Sequence, residues 1–302
     1  MGNRTRPLRA GRRALLGATV AALVAVLISP AAAARPQGAT ALYYETQSST
    51  GMAIARLSLS GPAITTQIVA LGNVGVFGIA TAGPYVYWVT QSGPQDRGAI
   101  MRATTAGADV RRLVGGLPAP SAIAVAGGFL YWSDQTAIGR VALGGSHVQR
   151  RFLVMPQEQG GGVADGLASD GTHLYFSRCT EDAIGRIDLS RRQVTPSFIA
   201  AGPKSCPQGL AVAGGHIFWT QLGSGTIGRA GLDGRQPDGR WLNVHSQQGP
   251  FQLAADAVHV YWTWGGVDGS PAYAGRVNAN RSHLDRRFLS DSIYPLALAG
   301  GM

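Results

Sequence analysis

The 302-residue chain carries 26 basic against 16 acidic residues, 43 glycines, 16 prolines and two cysteines, with 14% of its positions charged and 45% hydrophobic. That balance excludes a disordered chain, a coiled coil and a disulfide-dense miniprotein. What remains is a glycine-punctuated globular protein long enough to bury a full core, and the +10 formal charge must be located before it can argue for nucleic acid or membrane.

Much of that charge lies at the start. Arg4, Arg6, Arg9, Arg12 and Arg13 precede an apolar run from Ala14 to Ile28, and Ala31 to Ala34 follow with small residues. This is the pattern of a secretory signal peptide over residues 1–34, cleaved after Ala34. The apolar run is short for a spanning helix and no later segment approaches the needed length, so an exported protein without a membrane span is expected. Arg12-Arg13-Ala14-Leu15-Leu16 resembles a twin-arginine signal, which leaves the general secretory and twin-arginine routes both open. No cysteine follows the leader, which argues against a bacterial lipid anchor. Setting the five leader arginines aside roughly halves the excess charge, and no nucleic-acid partner is expected.

After a short linker, residues 35–40, a repeat fills residues 41–302. Aromatic pairs stand at Tyr43-Tyr44, Tyr87-Trp88, Tyr131-Trp132, Tyr175-Phe176, Phe218-Trp219 and Tyr261-Trp262, spaced 44, 44, 44, 43 and 43 residues apart. Seven residues before a pair stands an alanine: Ala80, Ala124, Ala168, Ala211 and Ala254, with Ala297 continuing the series. Behind each pair a segment ends in arginine, at Arg56, Arg102, Arg140, Arg186, Arg229 and Arg276. The segments are short, β-branched or aromatic, and are divided by turn residues such as Asp170-Gly171-Thr172 and Leu232-Asp233-Gly234.

Four short strands per 43 or 44 residues predict the blades of a β-propeller. The first aromatic pair lacks an inner strand and the last inner strand, residues 295–301, lacks a pair. The two defects cancel if the C-terminal strand completes the first blade, which predicts a closed, all-β, six-bladed ring of four-stranded antiparallel blades.

Leu130-Tyr131-Trp132-Ser133-Asp134 with Ile138-Gly139-Arg140, and Pro207-Gln208-Gly209-Leu210-Ala211-Val212 with Phe218-Trp219-Thr220 and Ile227-Gly228-Arg229, resemble the YWTD repeat of low-density-lipoprotein-receptor class B modules. The likeness runs from about residue 41 to 301. At the fourth letter only Asp134 is an aspartate; Thr46, Thr90, Arg178, Gln221 and Trp264 stand elsewhere. More distantly the chain resembles bacterial NHL-type and virginiamycin-lyase-type propellers. Such folds imply a binding face and leave function open.

In a four-stranded meander, the loops between strands two and three share a face with the loops between blades. These are the long ones here, so the functional face is expected there, with tight turns opposite. Cys179 and Cys206 both fall on that face, and two cysteines in an exported chain predict one disulfide. Three residues before each inner alanine, the channel mouth should carry Phe77, Ser121, Asp165, Gln208, Phe251 and Tyr294. The candidate ligand-binding residues are Phe77, Phe251, Trp264 and Tyr294 as aromatic walls, with Asp165 and Arg178 as polar fixings. They suit a protein, peptide, glycan or small amphipathic ligand bound by a monomer without a cofactor.

No linear catalytic motif occurs. The alternative is a metal-assisted hydrolase, lactonase or lyase at the same mouth, using calcium or magnesium, with Asp165 as the metal ligand, Gln208, Glu45 or Asp134 nearby and His245 as the sole loop base. His173, His216 and His259 recur two positions before an aromatic pair and are expected to be repeat packing. The arginine series is expected to stack or hydrogen-bond between strands.

Overall fold

A computed structural model describes residues 38–48, 51–91, 97–134, 137–154, 164–244, 249–265, 272–290 and 296–299. These residues form six four-stranded antiparallel sheets and no helix, so none is long and apolar enough to cross a membrane.

From the axis outward, blade 1 consists of Leu296–Ala299, Ala41–Ser48, Gly51–Ser58 and Thr65–Gly72. Blade 2 is Gly75–Ala82, Tyr85–Gln91, Arg97–Thr104 and Arg111–Pro118. Blade 3 is Ile123–Ala126, Phe129–Ser133, Ala137–Ala142 and Gln149–Val154. Blade 4 runs Leu167–Ser169, His173–Arg178, Ala183–Asp188 and Gln193–Ala200, and blade 5 Pro207–Ala213, His216–Gln221, Thr226–Gly231 and Asp238–Asn243. Blade 6 ends the series with Pro250–Ala255, His259–Gly265, Ala272–Asn278 and Asp285–Ser290. Each inner strand touches the inner strand of the next blade, and the last returns to the first, which closes the β-propeller.

The closure follows the expected route. Tyr43 pairs with Ala297 and Ala41 with Ala299, and the Thr40 amide donates to the Ala299 carbonyl at 2.9 Å. The first strand of the repeat and the last strand of the chain therefore lie in one sheet, leaving no unpaired inner edge.

Between blades the aromatic pairs make the core. The first member is buried against one neighbour and the second against the other, because successive side chains on a strand point to opposite faces. Trp88, Trp132, Trp219 and Trp262 are all fully enclosed. The inner alanines relieve crowding near the axis, while Leu167, Leu210 and Leu253 beside them fill the space between blades.

Five of the six arginines in the series stack on aromatic rings. Arg140 lies 4.1 Å from the Phe152 ring centroid and 4.5 Å from that of Phe129, Arg186 3.9 Å from Phe198, Arg229 5.6 Å from Trp241, Arg276 4.2 Å from Phe288 and Arg102 4.0 Å from Tyr85. The recurring histidines pack in the same way on the turn-rich side. His173, His216 and His259 rest on the aromatic residue two positions later, and the Nδ1 of His173 meets the Asp170 carboxylate at 3.0 Å.

Candidate functional site at the channel mouth

Among the described residues, those three before each inner alanine follow one another around the inner ring. Glycine makes the spacing possible, since the next residue is Gly166 in blade 4 and Gly209 in blade 5. A Cβ on Gly166 would stand 2.1 Å from the Gln208 carbonyl, and one on Gly209 2.6 Å from that of Phe251. The neighbouring backbones occupy the space a side chain would need, and so bring Asp165, Gln208 and Phe251 to successive positions.

Of the six ring positions, Phe77 is 38% exposed, Ser121, Asp165 and Phe251 are half-buried, and Gln208 is buried. Tyr294 lies outside the described residues. Gln208 donates from Nε2 to Asp165 at 3.3 Å and stands equally close to the Cys206 sulfur, which ties the ring to the disulfide loop. Ser121 donates to the Ala164 carbonyl of the next blade at 3.0 Å.

Trp264 is half-buried, pairs across the sheet with Pro250 beside Phe251, and meets Trp262 edge-on at 6.3 Å. Arg178 forms an ion pair with Glu181 at 3.1 Å in the loop that carries Cys179. The fold thus groups Asp165 with Gln208, and Phe251 with Trp264, while Arg178 belongs to the disulfide loop. The Cys179–Cys206 bridge is present, joining the second-to-third-strand loop of blade 4 to the connection into blade 5.

Beneath the ring lies a second series with an equally regular signal in the third letter of the aromatic motif. Ser133, Ser177, Thr220 and Thr263 are buried and accept the amides of Ala122, Gly166, Gly209 and Gln252 at 2.8–3.2 Å. Ser133 and Thr220 also donate to the next blade, to the Ala164 and Phe251 carbonyls, both at 2.8 Å. Each hydroxyl therefore clamps its own inner strand, and those of Ser133 and Thr220 also brace the neighbouring blade.

Blade 2 interrupts this series with Val89 at the hydroxyl position, and blade 1 departs from it further. Its hydroxyl position is Glu45, and the residue whose amide would be clamped is Pro295, which has none. Glu45 instead accepts the amide of Val76 in blade 2 at 3.0 Å. Burial pushes its carboxyl up to about 7, the single hydrogen bond offsetting only part of the effect. Burial also raises Asp165, against the hydrogen bond from Gln208. Both acids near the mouth thus resist ionisation.

The Glu45 shift fixes the sign of a pH effect. Between the unfolded value of 4.5 and the folded value of about 7 the folded state holds the extra proton, so the carboxyl destabilises the fold progressively as pH rises through that window. Glu45→Gln should raise the melting temperature at pH 8, by an amount equivalent to roughly 2–3 kcal/mol, and change it little at pH 5. An equal shift at both pH values would contradict the assignment.

Asp134, the one aspartate at the fourth letter of the motif, accepts the Ala137 amide at 2.9 Å and so closes its own strand connection. Among the described residues no three His, Cys, Asp or Glu side chains gather closely enough to hold a metal ion. His245 lies outside the described residues.

Comparison with solved structures supports the same fold. The chain superimposes on a structure from a nidogen/laminin complex with a TM-score of 0.65 at 15% identity, covering 87% of this chain and 99% of that one. TolB from Acinetobacter baumannii gives 0.63 at 14% identity, covering 86% and 66%. The calcium-binding protein regucalcin from Agrobacterium tumefaciens gives 0.53 at 16% identity, covering 78% and 86%. No family model matches the chain, and no curated protein matches it. At these identities the likeness is one of fold.

Proposed function

We propose that the protein is an exported binding module that takes a peptide, glycan or small amphipathic ligand on the long-loop face. The leader-like arginine and apolar pattern supports export, as does a disulfide, which persists in oxidising compartments. The observation that carries the binding reading is the mouth itself. Phe77 is exposed in the inner strand of blade 2, Phe251 and Trp264 are half-buried in the first two strands of blade 6, and the carboxyls of Glu45 and Asp165 resist charging. Aromatic surface with few, placed polar groups is the composition of a small-ligand or peptide site.

The test is a panel of peptides and oligosaccharides titrated against the protein and a Phe251→Ala/Trp264→Ala double variant. Loss of binding by about tenfold or more, with the fold intact, is the expected result. Equal binding by both proteins would overturn it.

A second reading rests on one specific observation, the raised carboxyls of Glu45 and Asp165. Perturbed acids in a cleft suit hydrolytic or lyase chemistry with a divalent ion. It predicts a thermal shift on adding calcium or magnesium that Asp165→Ala abolishes, and no shift with either ion would remove it.

A further inference from the structure

On the turn-rich face, opposite the mouth, a cleft of about 530 Å³ opens between blades 1 and 2. Its origin is a gap in the repeat. In blades 3 to 6 an aromatic ring stands twelve residues after each recurring arginine, at Phe152, Phe198, Trp241 and Phe288. The first residue of the second strand gives another ring at Tyr85, Phe129, His173, His216 and His259. In blade 1 these two positions are Ile68 and Ala41, and both line the cleft.

Arg56 is the arginine that loses both platforms. Blade 2 also lacks the outer ring, having Val114, but its Arg102 stacks on Tyr85 and pairs with Asp109 at 2.7 Å. Arg56 is half-buried and, among the described residues, makes no hydrogen bond, ion pair or ring contact. No acidic side chain lines the cleft. Asp109, four residues beyond the lining residue Thr105, is engaged by Arg102 and, at 3.6 Å, by Arg111. Thr66 and Thr105 line the same space, and their hydroxyls make no hydrogen bond among the described residues.

A guanidinium held partly out of water without an acceptor is a cost that an oxyanion relieves, through two parallel N–H···O bonds. We propose that this cleft binds a small oxyanion, carried as a carboxylate or a phosphate, with Arg56 as the anchor and Thr66 and Thr105 as secondary donors. The site is independent of the mouth, and its test does not depend on the function proposed there.

The probes are citrate and inorganic phosphate, each titrated into the full chain by calorimetry at constant ionic strength. Saturable one-to-one binding is expected for at least one of them. Binding of citrate alone assigns the site to carboxylates, and binding of phosphate alone assigns it to phosphates. Arg56→Gln should weaken that binding by at least about tenfold. Ile68→Phe restores the missing ring while keeping the charge, and should also abolish binding without lowering the melting temperature. Arg186→Gln, at a stacked arginine, should leave it unchanged. No binding of either anion up to about 20 mM, or binding equally strong in Arg56→Gln and Ile68→Phe, would overturn the proposal.

Discussion

Gly228→Ala is expected to cost more than about 3 kcal/mol, although it adds one methyl group to a strand. Gly228 stands opposite Trp219 in the sheet, and a Cβ there would lie 2.2 Å from Cε2 and 2.5 Å from Cζ2 of the indole. The ring cannot retreat easily, because Trp219 is fully buried among Ala168, Leu210 and Ile199 at the interface of blades 4 and 5. Gly139, Gly185 and Gly275 meet Trp132, Phe176 and Trp262 in the same way, at 2.1–2.2 Å. Blade 1 has Ala55 opposite Tyr44 and blade 2 Met101 opposite Trp88, so the glycine is confined to the four blades in which the opposite ring occupies the Cβ position. The measurement is urea denaturation of Gly228→Ala beside Gly144→Ala. A Cβ on Gly144 meets nothing within 4 Å, and the change there should move stability by less than about 0.5 kcal/mol. Adding Trp219→Leu to Gly228→Ala should recover part of the loss, because the two groups compete for one space. Equal midpoints for the two single variants would refute the packing account.

The interval between aromatic pairs gave blade number and register, since each pair had to occupy equivalent positions of identical units. The orphaned inner strand around Ala297 gave the closure, because only blade 1 lacked one. Ile-Gly-Arg was visible as a recurring motif, but a string of letters does not tell that the glycine lies beneath an indole. That fact depends on the rotamer of the aromatic residue opposite in the sheet, seven positions earlier for Gly139 and nine for Gly228.

The mouth was legible to a lesser degree. The offset of three residues from the inner alanine selected Asp165, Gln208 and Phe251, and the glycine contacts show why that offset repeats. The buried hydroxyl series was present in the letters Ser133, Ser177, Thr220 and Thr263, yet its meaning rests on amides and carbonyls of adjacent strands and blades. Glu45 is decided in the same non-local way, since its partner Val76 lies 31 residues away in another blade. Arg56 becomes informative only once stacking is known to be the rule that it breaks.

Removing the Cys179–Cys206 bridge should lower the melting temperature by roughly 6–12 °C. The bridge closes a separation of 27 residues, for which loop entropy gives about 3 kcal/mol, and a domain of this size loses about 2–4 °C per kcal/mol. The bridge does not hold the loops alone. The Asp182 carboxylate accepts the amides of Lys204 at 2.6 Å and Cys206 at 2.9 Å and the Ser205 hydroxyl at 3.2 Å. Lys204 and Cys206 both have left-handed backbone, at φ 57° and 43°, which neither residue adopts without such restraint. Burial alone would raise the Asp182 carboxyl, but the amide hydrogen bonds outweigh it and hold the group below the usual range. A depressed acid contributes stability that is present above its unfolded pKa and lost as pH falls through the folded one. The clamp should therefore support the loop at pH 7 and fail in acid. A Cys179→Ser/Cys206→Ser variant is expected to keep its blade 4–5 connection protected from proteolysis at pH 7 and lose that protection when Asp182→Asn is added, with a combined destabilisation larger than the sum. Strictly additive losses, or a melting temperature that ignores reduction of the bridge, would show that the two restraints act on nothing in common.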